Sequence, residues 1–417
     1  MIATERRTTT KALQRIRRIL DPGSFMEIGE HITARRTDFY TPEKVEASDG
    51  VITGYGTIDG CLVYVFSQDG EVMGGSFGEM HGRKIHHLYR LAIKTKAPVI
   101  GCLDCSGLRV EEGLDSLDAF GQLYALQAEA SRQILQIMAI CGGCSGGMTV
   151  AADMADIILS DSVHLADQIR TLIDLLPANT SQYPEQRPCS DDLNRQLSEL
   201  EKKRGDGRGI LNELSDEHFF FELKQCCGRD MVIGFMRLNG AVVGGIATQT
   251  IASEGKISPE GFEKAASFIE LCGKLHIPLL TVTDAKGFEG SLQAGRLVKA
   301  LTAASVPKIN LIAGEIFGSA YSILNSKGVG ADYVFMWDCA AAGLIESLQA
   351  VEILYPQGEL AFLQKRAEDY RKTHCSPMAL ARHGYVDKII KPEESRKFIL
   401  GAFETLADAG RCHNDLW

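Results

Sequence analysis

The sequence predicts an α/β protein in which one kind of domain occurs twice. Two hairpin patterns with alternating apolar residues begin at Val51 and at Met231, and each leads into a helical pattern and then a buried strand. These buried strands end in Asp104 and Asp284, which lie 180 residues apart. A further apolar strand followed by a Gly-rich turn occurs in both halves. Such repetition of strand and helix favours sheets covered by helices.

The first elements of the two copies follow in the same order. Each hairpin turns at a pair suited to a tight turn, Asp59-Gly60 in the first copy and Asn239-Gly240 in the second. The helical patterns RKIHHLYRLAIKTKAP and EKAASFIELCGKLHIP come next, and the strands VIGCLD and LLTVTD follow them. Each copy therefore begins with a hairpin, a helix and a buried strand.

The last shared element is a long apolar segment that contains a glycine-rich turn. ILQIMAICGGCSGGMTVAADMADIIL in the first copy matches KINLIAGEIFGSAYSILNSKGVGADYVFM in the second. Gly146 pairs with Gly318, and Asp156 pairs with Asp332. The pattern predicts a strand, a tight turn, a helix and another strand in each copy.

The repeat predicts a division into two domains. We expect an N-terminal domain at residues 1–176, a linker at 177–209 and a C-terminal domain at 210–417. The linker stretch is rich in Asp, Glu, Lys, Gln and Pro, which is typical of a domain boundary.

The two copies end differently. Trp337 and Arg396 are 59 positions apart in the second copy, whereas the matching Asp161 and Arg170 of the first are 9 apart. The first copy therefore lacks about 50 residues of the second. A difference of that size removes whole secondary-structure elements.

Composition and charge exclude several classes of function. Of 417 residues, 45% are hydrophobic and 24% are charged, so the chain is not largely disordered. The net charge of −10 and the lack of a basic stripe argue against nucleic-acid binding. Twelve cysteines without a signal-peptide pattern predict reduced thiols in the cytoplasm. Glycines interrupt the most apolar stretch, 134–152, so we interpret it as a buried strand and not a membrane span.

The two Gly-rich turns are the strongest candidates for chemistry. Backbone N–H groups at a strand-to-helix turn can point at one oxygen, and small residues let that oxygen approach. The predicted donor pairs are Gly146 with Gly147 and Gly318 with Ser319. Tight packing of strand on helix also favours glycine, so this structural explanation stays open.

Other candidate sites have weaker patterns. Cys102, Cys105, Cys141 and Cys144 form two CxxC pairs, but the gap of 35 residues between the pairs is long for a zinc site. The Gly-rich segment 74–84 could seat a nucleotide-like ligand, with Arg83 and Lys84 near its phosphates. It resembles neither a P-loop nor a dinucleotide fingerprint, and a solvated loop with a helix cap at Ser76 is the favoured interpretation.

Taken together, these segments resemble a known family. GTIDGCLVYVFSQD, GGSFGEMHGRKI, LRVEEGLDSL, GGCSGGM, ADYVFMW and GYVDKIIKPEESR look like carboxyltransferase subunits of biotin-dependent acyl-CoA carboxylases. They look equally like α-subunits of biotin-dependent acyl-CoA decarboxylases such as glutaconyl-CoA decarboxylase. The resemblance runs from about Arg15 to Asn414. LDCSGLRVEEGLDSLDAFGQLY, CSDDLNR and Glu346 are more similar to the decarboxylase branch.

The resemblance implies a fold and two oxyanion sites. The fold would be a tandem crotonase (ClpP-like) pair of ββα-superhelix domains, with the N-terminal copy truncated. Gly146 and Gly147 would hold the thioester oxygen of an acyl-CoA, and Gly318 and Ser319 the carbonyl oxygen of biotin. Carboxyl transfer between them would need no protein nucleophile. Further substrate contacts would come from Gly75, Ser76, Gly78, Met80, Arg109, Ser145 and Phe317.

The resemblance also implies partners. Biotin would arrive on a carrier protein, because the chain has no Met-Lys-Met biotinylation motif. The N-terminal domain of one subunit would face the C-terminal domain of another, so the active form would be at least a dimer, either homo- or hetero-oligomeric. In the decarboxylase branch, a membrane subunit would be a further partner and the location would be peripheral to a membrane. No metal is expected.

Departures from the family pattern keep alternatives open. Gly318-Ser319 replaces the usual Gly-Gly, DCSGLR replaces DSGGAR, and the missing residues fall where the first domain would complete its acyl-CoA pocket. One alternative is therefore a non-catalytic structural paralogue within a hetero-oligomeric carboxyltransferase complex. A crotonase-type hydratase is weaker, because it needs two positioned carboxylates and the adjacent Glu111 and Glu112 point apart on an extended loop.

Overall fold

The computed structural model describes residues 10–39, 48–160 and 163–411, with side chains through residue 406. The chain divides into two compact units, Met1–Tyr183 and Pro184–Trp417, which we call unit 1 and unit 2. The division lies inside the polar stretch 177–209. Within the described ranges, no helix has the length and apolar character needed to cross a membrane.

Unit 1 is built around a sheet whose described strands follow the order β1-β2-β3-β4-β5-β6. β1 to β3 pair antiparallel, and β3 to β6 pair parallel. The elements in chain order are α1 (Lys11–Ile19), β1 (Met26–Ile28), β2 (Val51–Ile58), β3 (Cys61–Gln68), α2 (Glu79–Thr95), β4 (Val99–Cys105), α3 (Leu114–Ala130), β5 (Gln136–Cys144), α4 (Gly147–Asp153), β6 (Ile157–Leu159) and α5 (Leu165–Leu175).

Unit 2 repeats this arrangement and extends it. Its main sheet has the order β16-β14-β13-β11-β9-β8-β7, with β15 paired to β13. The elements are α6 (Gly207–Leu214), β7 (Phe220–Leu223), β8 (Met231–Leu238), β9 (Ala241–Thr248), β10 (Lys256–Ile257), α7 (Pro259–Lys274), β11 (Leu279–Ala285), β12 (Gly287–Phe288), α8 (Leu292–Ala303), β13 (Lys308–Phe317), α9 (Ser319–Ile323), β14 (Tyr333–Trp337), β15 (Ala341–Gly343), α10 (Ser347–Leu354), α11 (Leu360–Tyr370), α12 (Pro377–Arg382), β16 (Lys388–Ile390) and α13 (Ser395–Arg411).

The predicted hairpins form at the predicted turns. β2 and β3 meet through Asp59-Gly60, and β8 and β9 through Asn239-Gly240. The first turn residue has a positive φ in both hairpins, 47° at Asp59 and 51° at Asn239, which Asp and Asn tolerate better than most residues. The turn chemistry that the sequence showed therefore sets the register of both hairpins.

An arginine near the end of each unit marks the same position of the fold. Arg396 of α13 donates to the carbonyl of Leu214, the last residue of α6, and to Asp216 just after that helix. Arg170 of α5 donates to the Ile19 carbonyl at the end of α1 and to an aspartate two residues later. The helices that carry the two arginines therefore correspond to each other.

This correspondence locates the missing residues of the first copy. In unit 2, β15, α10, α11, α12 and β16 lie between β14 and the helix that carries Arg396. In unit 1, β6 is followed directly by residues 160–164, of which Asp161 and Ser162 lie outside the described residues, and then by α5. In the described part of unit 1, β6 therefore pairs with β5 alone, whereas β14 pairs with both β13 and β16.

Candidate functional site

The Gly-rich turn of unit 1 has a backbone that requires glycine. Gly146 lies between β5 and α4 with φ 58° and ψ −131°, a conformation that residues with a Cβ rarely adopt. In the described part of the chain, no acceptor takes the Gly146 N–H. Gly147 is the first residue of α4, so its N–H has no intrahelical acceptor. The turn therefore offers two adjacent donors, and Ser145 and Gly146 are exposed.

Gly147 also serves the packing of the helix. A Cβ at this position would lie 2.6 Å from the Tyr124 hydroxyl, which donates to the Gly147 carbonyl at 2.8 Å. Tight packing therefore explains the glycine at position 147. Its N–H nevertheless remains available as a donor. A Cβ at Gly146 would be 4.0 Å from Gly107 Cα, so the turn lies beside the segment that follows β4.

The predicted substrate contact of Arg109 is not supported by its position. Its side chain is 1% exposed and lies in a buried polar cluster with Asp49, Glu112 and Ser76. It donates to Asp49, to Glu112 at 2.9 Å and to the Ser76 carbonyl at 2.7 Å. Because burial among these acceptors leaves no face for a ligand, Arg109 and the Ser76 side chain hold the fold together.

The Gly-rich loop before α2 lies over this cluster. The helix cap is Gly78 and not Ser76, and the Glu79 N–H donates to the Glu112 carboxylate at 2.5 Å. Gly75 and Gly78 are buried and Met80 is half-buried, so their predicted substrate contacts stay a prediction. A Cβ at Gly78 would lie 2.5 Å from Glu112, which explains the glycine by packing.

The adjacent carboxylates after Arg109 do not form an acid–base pair. Glu112 is buried against Arg109, whereas Glu111 is exposed. The two residues lie in a 3₁₀ turn, Val110–Glu112, and not on the extended loop that the sequence predicts. Because one carboxylate is buried and the other is exposed, the hydratase alternative has no support from this pair. The structure also places Lys84 in the interior, where its ammonium donates to the Val51 carbonyl, so it is not available for a phosphate.

The buried cluster predicts a pH dependence that Asp49 controls. Burial raises the pKa of Asp49 from 3.8 to about 6, against the attraction of Arg109. Because the pKa of Asp49 is higher in the folded than in the unfolded protein, the protonated side chain stabilises the fold. This stabilisation is complete below about pH 4 and is lost as the pH rises through about 6. Relative to Asp49→Asn, the free energy of unfolding of the wild type should fall across this window. Urea unfolding at pH 4, 5, 6 and 7 measures the difference, and parallel curves for the two proteins would contradict it.

The Gly-rich turn of unit 2 has nearly the same backbone but one donor fewer. Gly318 has φ 61° and ψ −144° and precedes α9, whose first residue is Ser319. Unlike the Gly146 N–H, the Gly318 N–H donates to the Gly343 carbonyl of β15 at 2.9 Å. The prediction of two free donors here is therefore wrong for Gly318, because β15 takes its N–H. The Ser319 N–H has no intrahelical acceptor and stays available.

A cleft of about 380 Å³ opens at the second turn. Its walls are formed by 286–288, 317–320, 344–346 and Gln349. Phe317 lines the cleft, and its buried ring packs against Ala341 and Cys375, so β15 shapes this wall. The cleft is large enough for a small organic ligand.

The cysteines of the two CxxC pairs lie on neighbouring strands without forming a metal site. Cys105 of β4 is the register partner of Cys144 of β5. Burial raises the pKa of both thiols, which favours the neutral form over a nucleophilic thiolate. Over the residues that the structure describes, no group of three or more His, Cys, Asp or Glu side chains is arranged to hold a metal ion.

Sequence reasoning missed two partners at these sites. Asp49, which pairs with Arg109, precedes the first hairpin and belongs to no motif. Gly343, which takes the Gly318 N–H, lies in the segment that has no counterpart in the first copy. The absence of that segment was visible in the sequence and is the signal that could have predicted different donors in the two turns.

Comparisons with known proteins identify the family of the chain. The carboxyl transferase domain family matches residues 5–160 and 152–414. The propionyl-CoA carboxylase beta chain of Roseobacter denitrificans is 32% identical, with 95% of this chain and 90% of the relative covered. The methylmalonyl-CoA decarboxylase subunit alpha of Propionigenium modestum is 30% identical with the same coverage. The preference for the decarboxylase branch stays a prediction, because both enzyme types match.

A solved structure extends the likeness to the fold. The transcarboxylase 12S hexamer with methylmalonyl-CoA bound superposes with a TM-score of 0.89, at 26% identity, over 97% of this chain and 91% of that one. This confirms the predicted crotonase-like fold with two ββα-type domains. The Roseobacter alignment spans 460 residues, more than the 417 of this chain, so the relative contains residues that this chain lacks.

The family match consists of two segments that overlap at residues 152–160, next to the place where the first copy is short. The chain is matched almost throughout, by the family and by relatives that are enzymes. The chain therefore belongs to the carboxyl transferase domain family and is an enzyme subunit of the carboxyltransferase type.

Proposed function

We propose that this chain transfers a carboxyl group between biotin, carried by a partner protein, and the carbon next to the thioester of an acyl-CoA. The observation that carries the proposal is the common backbone of the two turns. Gly146 and Gly318 agree within 13° in both dihedral angles and each precedes a helix. The turn of the first copy has kept this geometry although about 50 neighbouring residues are missing.

The turn of unit 1 suits the acyl-CoA half of the reaction. A carboxyl group joins or leaves the carbon next to a thioester through an enolate, whose negative charge lies on the thioester oxygen. The N–H groups of Gly146 and Gly147 would donate to that oxygen and stabilise it more as its charge grows. The turn supplies fixed dipoles and needs no protein nucleophile.

The turn of unit 2 suits the biotin half. When bound, biotin supplies the ureido nitrogen that takes or gives the carboxyl group. The cleft beside Ser319 has the volume of a small-ligand site, and Ser319 offers an N–H for the ureido oxygen. Lys286 and Glu346 also line this cleft and place one charge of each sign in its walls.

We also propose that the chain works as an oligomer together with a biotin carrier protein. The transcarboxylase 12S relative is a hexamer and binds methylmalonyl-CoA, which supports an assembly and an acyl-CoA substrate of that class. The relatives named as carboxylases and decarboxylases act on propionyl-CoA and methylmalonyl-CoA.

The activity can be tested with methylmalonyl-CoA as the carboxyl donor. The purified chain is incubated with this thioester and free biotin, and then with a biotinylated carrier protein. Chromatography should show biotin-dependent conversion to propionyl-CoA, faster with the carrier. Gly146→Ala, which disturbs the first turn, is the negative control. No biotin-dependent conversion with the carrier present would contradict the proposal.

A further inference from the structure

The sheet of unit 1 has an irregularity just before its Gly-rich turn. β4 and β5 pair in register up to Leu103 and Ile140, and the next pair is Cys105 with Cys144. One residue of β4, Asp104, therefore lies opposite three residues of β5. Two extra residues form a β-bulge, a feature that bends a strand and changes its direction next to functional sites.

The sheet of unit 2 has the same irregularity at the same place. β11 and β13 pair up to Thr283 and Ile312, and the next pair is Ala285 with Ile316. Asp284 is the single residue opposite the bulge. Because the strands of the two units differ in almost every side chain, the shared aspartate and the shared bulge belong together.

The carboxylate of Asp104 fills the bulge of β5. Its Oδ1 accepts the Gly143 N–H at 3.2 Å, a donor that the shifted ladder leaves without a strand partner. A Cβ at Gly142 would collide with the same carboxylate, so the bulge needs a residue without a side chain. Gly143 is three residues before Gly146.

The carboxylate of Asp284 does the same in β13. Its Oδ1 accepts the Glu315 N–H at 3.0 Å, and a Cβ at Gly314 would collide with it. Glu315 is three residues before Gly318. Each aspartate therefore fixes the backbone three residues before the glycine of the turn, Gly146 or Gly318.

Both aspartates are themselves held by neighbouring groups. The Asp104 N–H donates to the Gln68 side chain at 3.1 Å, and the Asp284 N–H donates to the Thr248 hydroxyl at 2.8 Å. In unit 1, Arg15 also donates to Asp104 Oδ2 at 2.8 Å. Asp104 thus accepts from two donors, one on each oxygen.

We propose that Asp104 and Asp284 are positioning residues, each of which aims one oxyanion turn through the bulge that its carboxylate fills. The inference rests on the proposed function, because it assigns Asp104 to the acyl-CoA half and Asp284 to the biotin half. The aspartates touch neither substrate. Asp104 sets the direction of the N–H groups of Gly146 and Gly147, which follow Gly143 by three and four residues. Asp284 sets the direction of the Ser319 N–H, which follows Glu315 by four residues.

Asp104→Asn tests this with the least change of shape. An asparagine has one acceptor oxygen, whereas Gly143 and Arg15 both present donors, so one donor loses its partner or meets an NH₂ group. The bulge should shift, and kcat with methylmalonyl-CoA should fall about 10- to 100-fold while KM changes less than threefold. Arg15→Met keeps the carboxylate and should have a smaller effect, which covers the case in which Asp104→Asn does not fold.

A spectroscopic readout separates positioning from stability. Propionyl-CoA labelled with ¹³C at the thioester carbonyl is bound to each variant, and the infrared C=O stretch is recorded. Donors aimed at the oxygen polarise the bond and lower its frequency. We expect the wild type and Asp284→Asn to show the full lowering and Asp104→Asn to lose part of it.

The outcomes separate a failure of the positioning role from a failure of the proposed function. Lowering in the wild type that Asp104→Asn leaves intact overturns the positioning role while the proposed function stands. Equal losses in Asp104→Asn and Asp284→Asn overturn the assignment of one aspartate to each half. If the wild type neither binds propionyl-CoA nor lowers its C=O frequency, the proposed function fails and this inference fails with it.

Discussion

Gly146→Ala is expected to lower kcat for carboxyl transfer by about 10²-fold or more, the size of effect that follows the loss of one oxyanion donor. The backbone at Gly146 has φ 58° and ψ −131°, so an alanine must move the turn to a conformation that accepts a Cβ. That movement turns the N–H groups of Gly146 and Gly147 away from the thioester oxygen. Steady-state kinetics with methylmalonyl-CoA and the biotinylated carrier measure the effect.

Gly113→Ala is a closely matched control. Gly113 precedes α3 with φ 57° and ψ −128°, almost the backbone of Gly146, and a Cβ there would meet no atom within 4 Å. The alanine should cost about 1–3 kcal/mol of folding free energy from the same backbone strain and leave kcat nearly unchanged. If both variants lost kcat equally, general strain and not the position of the turn would be the cause.

Arg396→Met is expected to cost about 3–5 kcal/mol of folding free energy, the range for breaking a buried ion pair. The Arg396 side chain is fully buried, and it donates to the Leu214 carbonyl at 2.5 Å and to Asp216 at 2.6 Å. Without the guanidinium, the Asp216 carboxylate keeps the backbone donors of the hairpin turn but loses its cationic partner. Urea unfolding of the whole chain gives the loss.

Arg170→Met tests whether burial of the charge is the reason for the large loss of folding free energy in Arg396→Met. Arg170 makes the same two kinds of hydrogen bond, both at 3.0 Å, but its side chain is 29% exposed. Water can solvate the Asp21 carboxylate that it leaves behind, so the loss should be clearly smaller. An equal loss in both variants would show that the contacts, and not the burial of the charge, set the cost.

Most of the fold could be predicted from the repeat. Turn pairs such as Asp59-Gly60 are local signals, and the 180-residue offset placed the hairpins and the first buried strands in both halves. The Gly-rich turns repeat at an offset of 172 residues, from Gly146 to Gly318. The dihedral angles at Gly146 and Gly318 follow from the same local chemistry, because only glycine accepts them without strain.

The contacts that tie these elements together could not be predicted. Arg109 ends the motif DCSGLR, which the sequence analysis singled out. Its partner Asp49 lies 60 positions earlier and belongs to no motif. The Gly318 N–H meets Gly343 only because β15 folds back beside β13. Such pairings depend on tertiary structure and leave no periodic trace in the sequence.

The short edge of unit 1 has a consequence for solubility. A sheet edge with free N–H and C=O groups is a template for pairing with other chains, and long flat edges promote aggregation. Among the residues that the structure describes, β6 has three residues and pairs with β5 alone, whereas its fold counterpart β14 has five residues and is covered by β16. A strand of three residues offers a second chain too few hydrogen bonds for stable stacking. The first copy therefore lacks a counterpart of β16 without exposing a long sheet edge that would promote aggregation.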